Sequence, residues 1–272
     1  MSAPGHTSPF AALARKRDLW WQFSVRAVEV RHRGSYLGIL WSVISPLLML
    51  ALFYEIFGVI FGGHFGGVPN EKPSDVAMAM FLGLILYQLL ADTLATAPLI
   101  VISTPNLVKK VVFPLDILPL AQMGAFWFNL LIGLVLAIGG AAIFGRGVSI
   151  VGLAWLPVIV LPLIFLSAGL AFAFSALGVF FRDLAQFMPF VAQVVLYASA
   201  VFYPLSRLTP AAWMILKWNP FLETVVLARE VVLWGLPVHG TRLAYTYACG
   251  LVVFAAGRWI FMKLQPAFAD VI

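Results

Sequence analysis

Three carboxylates, Glu55, Asp92 and Asp116, stand within or beside long apolar runs. A charge in such a setting is the ordinary mark of an ion path or a proton relay. Glu55 falls about midway along its run and is the costliest to bury, whereas Asp92 and Asp116 fall near run ends. A relay also needs partners, and no Lys or His lies inside a predicted span to serve as one. A polar tie between helices or subunits is the plainer reading.

The phosphate-cradling pattern G-x-x-x-x-G-K-[ST] is missing, and no Gly-Lys pair occurs anywhere in the chain. ATP-driven work would therefore need a partner polypeptide that holds the ATP and its Mg, with force entering through elements on the inner face. His6, His32, His64 and His239 are too far apart in sequence to form a zinc motif. Glu223 and Glu230, seven residues apart, can share a helix face, but that helix also carries Arg229, so no carboxylate pair stands poised for glycosyl transfer. No catalytic, cofactor-binding or metal-ligating residue is assigned, and the chain is expected to be a transport subunit rather than an enzyme.

Aromatic residues make up 14% of the chain, many near the ends of apolar runs. Two readings stand: a belt at the membrane interfaces, or a lining that stacks on sugar rings as a glycan slides past. The candidates for a channel or gate are Tyr36, Trp41, Tyr54, Phe202, Tyr203, Trp213, Trp218 and Phe221.

The elements that must position these residues follow from composition. Of 272 residues 62% are hydrophobic and 10% charged, against roughly 25% charged in a soluble domain. Such a chain has too little polar surface to face water on all sides. A bilayer core of about 30 Å needs roughly 20 apolar residues per helix, and runs of that length recur. An all-α membrane protein with six spans is expected, at about 37–61, 76–97, 115–144, 149–180, 184–203 and 243–262. The 17 Lys and Arg exceed the 11 Asp and Glu, but six of the basic residues precede the first span, which points to anionic lipid and not to nucleic acid. Eleven of the 17 basic residues fall on the predicted inner side, placing both termini in the cytoplasm. The single Cys249 excludes an intrachain disulfide. The stretch from Leu19 to Val30 is interrupted by Gln22, Arg26 and Glu29 and reads as no cleavable signal peptide.

Two shorter elements flank the spans. Within residues 1–36, Gln22, Arg26, Glu29 and Arg33 fall on one helical stripe and Leu19, Phe23, Ala27 and Val30 on another. With Trp20 and Trp21 this reads as an amphipathic helix at the membrane interface, either a simple anchor or a surface that a partner pushes on. The second is a short helix over 105–112, opened by Thr104 and Pro105, with Asn106, Lys109 and Lys110 on its polar side. Between Pro204 and Arg242 the prolines 204, 210, 220 and 237 cut the chain into pieces too short to cross a bilayer, so re-entrant or interfacial helices are expected.

Four segments, RDLWWQFSVRAVEVRHRGSYLGILWSVISPLLML, NLVKKVVFPLDILPLA, FRDLAQFMPF, and YPLS followed by KWNPFLETVVLARE, resemble in order the type 2 permeases of ATP-binding-cassette exporters. The closest likeness is to the branch that exports O-antigen, capsule or teichoic-acid chains. The resemblance implies a homodimer with two copies of a separate ATPase, moving a polyprenyl-diphosphate-linked glycan across the bacterial inner membrane. It further implies a coupling site of Asn106, Lys109, Lys110, Arg182 and Asp183. The interface helix would carry Trp20, Trp21, Arg26, Arg31 and Arg33, and external gate helices would lie between 204 and 236. The chain departs from the family pattern at Ala200 and Val201, where a Ser-Pro is expected, and at Leu115 and Asp116 after Pro114. An exporter of a drug or small lipid, or a membrane glycosyltransferase or ligase, are the competing assignments.

Overall fold

A computed structural model describes residues 9–32, 36–66, 70–109 and 113–272. Arg33 and Lys110 lie outside the described residues. Every regular element among the described residues is helical. Helix α1 (Pro9–His32) precedes a continuous rod made of a 3₁₀ turn (Gly38–Leu40), α2 (Trp41–Phe53) and a π-helical turn (Tyr54–Ile60). Then come α3 (Pro73–Thr96), the short α4 (Pro105–Lys109), α5 (Ile117–Phe144), α6 (Ile150–Phe180) and α7 (Leu184–Tyr197). The chain closes with α8 (Pro210–Leu216), α9 (Pro220–Ala228) with a π extension (Arg229–Leu233), α10 (Gly240–Leu264) and α11 (Phe268–Val271).

Prolines start helices here because their missing N–H costs nothing in the first turn; Pro73, Pro105, Pro210 and Pro220 all do so. Polar side chains satisfy the neighbouring free donors: Ser149 accepts from Gly152 N–H at 3.1 Å, Thr209 from Ala212 at 3.3 Å and Asn219 from Phe221 at 3.0 Å. Thr104 does otherwise, since its hydroxyl donates back to the carbonyls of Ile100 and Val101.

Five stretches are long and apolar enough to cross a membrane: Gly38–Ile60, Pro73–Leu99, Ile117–Phe144, Ile150–Phe180 and Gly240–Val271. The expected fifth span, 184–203, is not a single crossing helix. Helix α7 stops at Tyr197 after 14 residues, about 21 Å at 1.5 Å per residue. Beyond it Ala200 adopts a left-handed φ of +52°, a conformation costing an L-residue roughly 1–2 kcal/mol. The cost is offset because the carbonyls freed there are taken by side chains. Arg229 donates to Ala200 O at 2.6 Å and to Val201 O at 2.7 Å, and Asn219 donates to Ala198 O at 3.1 Å.

Helix α3 is the centre of the bundle: 72% of its apolar stretch is enclosed by the rest of the chain, against 17% for Gly38–Ile60 and 17% for Gly240–Val271. Its Phe81, Leu82, Leu86 and Leu89 pack with Met123, Phe126, Ile159 and Leu163 from α5 and α6. Helices α6 and α10 meet backbone to backbone, since a Cβ on Gly257 or Gly169 would overlap the opposite chain. Small residues at such a crossing are the usual device for packing helices in lipid.

Beyond α10 the chain continues helically through a 3₁₀ turn (Gln265–Ala267) into α11. Phe268 is fully buried against Phe261 and Phe180, because burying its ring removes an aromatic face from water. This contact helps gather α1, α4, the α6–α7 turn and α11 at one end of the bundle. Residues 61–66, 70–72 and 145–149 and the α8–α9 region occupy the other.

Candidate functional sites at the two ends of the bundle

At the first end α1 lies along α5. Trp20 Nε1–H donates to Leu120 O at 3.0 Å, and its ring stands 6.3 Å from that of Trp127. Phe23 packs on Phe113 at 5.2 Å, and Ser24 fits against Gly124, where a Cβ would collide with it. The docking stripe is thus Trp20, Ser24 and Arg31, with Phe23 and Ala27 beside it. It is rotated from the expected apolar stripe, since Val30 is 56% exposed. Trp21 and Arg26 face outward, together with Gln22 and Glu29.

Arg31 turns inward. Its guanidinium donates to Asp92 Oδ2 at 2.8 Å and lies over the Phe126 ring at 5.5 Å, while Gln88 donates to Asp92 Oδ1 at 3.0 Å. Asp92 therefore ties α1 to α3, the structural role open to an intramembrane acid. Glu55, by contrast, is exposed on the π turn of the first rod. Asp116 sits at the start of α5.

Helix α4 presents Asn106 and Lys109 to the outside, while Leu107 and Val108 rest on a cluster of Val101, Leu118, Phe172, Val179 and Phe268. Arg182 and Asp183 form the exposed turn between α6 and α7. Phe180, just before that turn, joins the same apolar cluster. The structure thus brings Asn106, Lys109, Arg182, Asp183 and the exposed face of α1 to one end of the molecule, on a rigid apolar footing.

At the opposite end the α9 segment is walled in, with every residue from Phe221 to Arg229 buried. Arg229, 2% exposed, donates to Ala79 O at 2.7 Å as well as to Ala200 and Val201, and its guanidinium lies 4.7 Å from the centre of the Phe65 ring. One side chain thereby joins α3, the end of α7 and the loop before α3. Sequence reading had treated Arg229 only as a neighbour of the two acids. Glu223 and Glu230 both engage Arg242, at 2.5 and 2.9 Å, so they brace the start of α10.

The aromatic candidates separate. Phe221 is 1% exposed, 6.4 Å from the Tyr87 ring, and its place in the core removes it from any lining. Phe202 joins an aromatic cluster, stacked on Phe57 at 5.9 Å and edge-on to Phe53 at 5.7 Å. The Tyr203 hydroxyl donates to Tyr197 O. Trp218 stands exposed beside Tyr245, whose hydroxyl donates to Trp218 O at 2.6 Å. Tyr36, Trp41, Tyr54 and Trp213 are exposed, so their rings are open to whatever covers the chain. Among the described residues no three His, Cys, Asp or Glu side chains gather as a metal site.

The family model described as "ABC-2 type transporter" matches residues 18–233. An O-antigen export system permease protein RfbA of Klebsiella pneumoniae is 25% identical over 94% of this chain and 95% of its own length. The RfbA protein of Myxococcus xanthus is 24% identical over 90% and 92%. The polysialic acid transport protein KpsM of Escherichia coli is 29% identical over 39% of this chain and 41% of its own. With the match running from α1 through the π extension of α9, and so across both ends of the bundle, the chain belongs to the ABC-2 type transporter family.

Proposed function

We propose that this chain is the permease subunit of an ATP-driven exporter that moves a lipid-linked polysaccharide, of the O-antigen kind, across the bacterial inner membrane. The observation that carries the reading is the end-to-end likeness to O-antigen export permeases. Two copies of the chain would work with two copies of a separate ATPase, which holds the ATP and Mg. The ATPase would bear on Asn106, Lys109, Arg182 and Asp183, whose exposure and shared end of the bundle suit a docking surface. Both termini would then face the cytoplasm. Lys110 and Arg33, which lie outside the described residues, belong to the same proposal by sequence alone.

Helix α7 and residues 198–203 would together make the fifth, interrupted span, and α8 and α9 the external gate. Broken helices at membrane depth survive only where protein covers the freed backbone, and Arg229 and Asn219 supply that cover. The uncovered aromatic faces of the first rod and α7, with Tyr54, Phe187, Phe190 and Tyr197 exposed, would meet the second protomer and the sliding glycan. A glycosyltransferase reading is weakened because both outer acids are spent on Arg242.

The test is the ATPase rate of the permease co-purified with its ATPase in lipid, with and without polyprenyl-linked glycan, for the natural chain and for Lys109→Glu/Lys110→Glu. A glycan-stimulated rate that the double variant no longer transmits supports the proposal. A rate indifferent to glycan overturns the polysaccharide reading.

A further inference from the structure

Between α2, α3 and α5, beside the end of α1, lies a cavity of about 410 Å³. Its inner wall is hydrocarbon, formed by Phe81, Ile85, Leu89, Phe126 and Leu130, with Pro46 and Met49 on the α2 side. Its other end is polar, formed by Arg31, Ser42, Gln88, Asp92 and Asn129, with Ser45 close by. Ser42 donates to Asn129 Oδ1 at 3.4 Å. The cavity opens toward the surroundings, since Trp41, Ser45, Met49 and Gln88 are exposed.

An apolar cavity with a few convergent polar groups is the form of a ligand site, and here both ends are specified. Hydrocarbon walls inside a membrane favour an acyl chain over a file of waters, which need polar partners on several sides. The polar end carries one cation and one anion among the described residues. Arg31 keeps donors beyond the one spent on Asp92 and is 35% exposed, and Asp92 keeps acceptor capacity beyond Arg31 and Gln88. A polyanionic headgroup would gain Arg31 and be repelled by Asp92. A headgroup with a phosphate and a primary ammonium matches the pair charge for charge, the phosphate accepting from Arg31 and the ammonium donating to Asp92.

We propose that this cavity is a binding site for a zwitterionic phospholipid with a primary ammonium headgroup, held by Arg31 and Asp92 with one acyl chain between α2 and α3. The lipid wedges the first rod, one of the two least enclosed spans, against α3 and α5. Because its headgroup carries no net charge, it is chemically distinct from a diphosphate-linked cargo, and the proposal stands whether or not the cargo is a polysaccharide.

The experiment reconstitutes the permease with its ATPase into nanodiscs of equal parts phosphatidylethanolamine, phosphatidylglycerol and phosphatidylcholine, re-extracts it gently and counts retained lipids by native mass spectrometry. Phosphatidylethanolamine should be retained over both others by roughly tenfold, the worth of one charge-assisted hydrogen bond. Asp92→Asn, which leaves Arg31 as a lone cation, should move the preference to phosphatidylglycerol. Met49→Trp, on an exposed position that lines the hydrocarbon end, should abolish retention of all three while leaving the complex intact. Equal retention of the three lipids by the natural chain, an unchanged preference in Asp92→Asn, or undiminished retention in Met49→Trp would each overturn the proposal.

Discussion

Replacing Arg229 by Ala removes the donors of three buried carbonyls, Ala79, Ala200 and Val201, and the ring contact with Phe65. Ala79 O keeps its place in the α3 hydrogen-bond ladder, but Ala200 and Val201 lie beyond the end of α7, and each buried acceptor left there without a donor costs about 1–3 kcal/mol. The space left by the buried side chain adds to this and relaxation of the left-handed turn recovers part, so a loss of roughly 3–5 kcal/mol is expected. At 1.36 kcal/mol per tenfold, local opening around residues 198–202 should rise by about 10²–10⁴. Arg229→Lys keeps the charge, but a compact ammonium cannot reproduce a fork that reaches three carbonyls on separate elements. It should therefore fall between the two. The assay is amide hydrogen exchange, read by mass spectrometry, on the intact complex in nanodiscs, with peptides over 76–84, 196–204 and 226–233 compared across the three proteins. Less than a threefold change in exchange over 196–204 for Arg229→Ala would refute the reasoning, since the end of α7 would then be held by something else.

Lys109→Glu should leave the melting temperature within a degree or two, because the side chain is exposed and surface substitutions cost about 0.5 kcal/mol or less, yet uncouple ATP hydrolysis from export in vesicles. Gly257→Ala, whose Cβ meets the Gly169 carbonyl, should cost about 1–3 kcal/mol in thermal unfolding, whereas Gly139→Ala, with open space around it, should be neutral or slightly stabilising. Glu223→Gln/Glu230→Gln removes both charges that face Arg242 and should lower thermal stability in proportion to lost transport; lost activity at full stability would point instead to a chemical role for the acids.

Much of the architecture is local and was legible in residue order. Apolar runs fix where most of the helices lie, Pro105 marks the start of the short α4, and prolines 204, 210, 220 and 237 announce the broken region before α10. The short amphipathic α4 and the exposed pair Arg182 and Asp183 were also readable, because a turn between two apolar runs has few other places to go.

What only the tertiary structure decided depends on groups far apart in the chain. Arg229 bonds to a carbonyl 150 residues away, and α7 stops at Tyr197 because that arginine and Asn219 take the carbonyls beyond it; no local pattern announces a helix end satisfied from a distance. Asp92 becomes a tie to α1 only when Arg31 arrives from 61 residues upstream. Phe221 and Trp218, both aromatics beside the same proline, part company when the first is enclosed against Tyr87 and the second left outside. Hydrophobicity marks each ring as fit for burial, but which one is buried is a property of packing. The sequence determined a helical membrane subunit. Long-range hydrogen bonds and close glycine contacts decided how its broken helices are held, because those interactions exist only after the chain has folded.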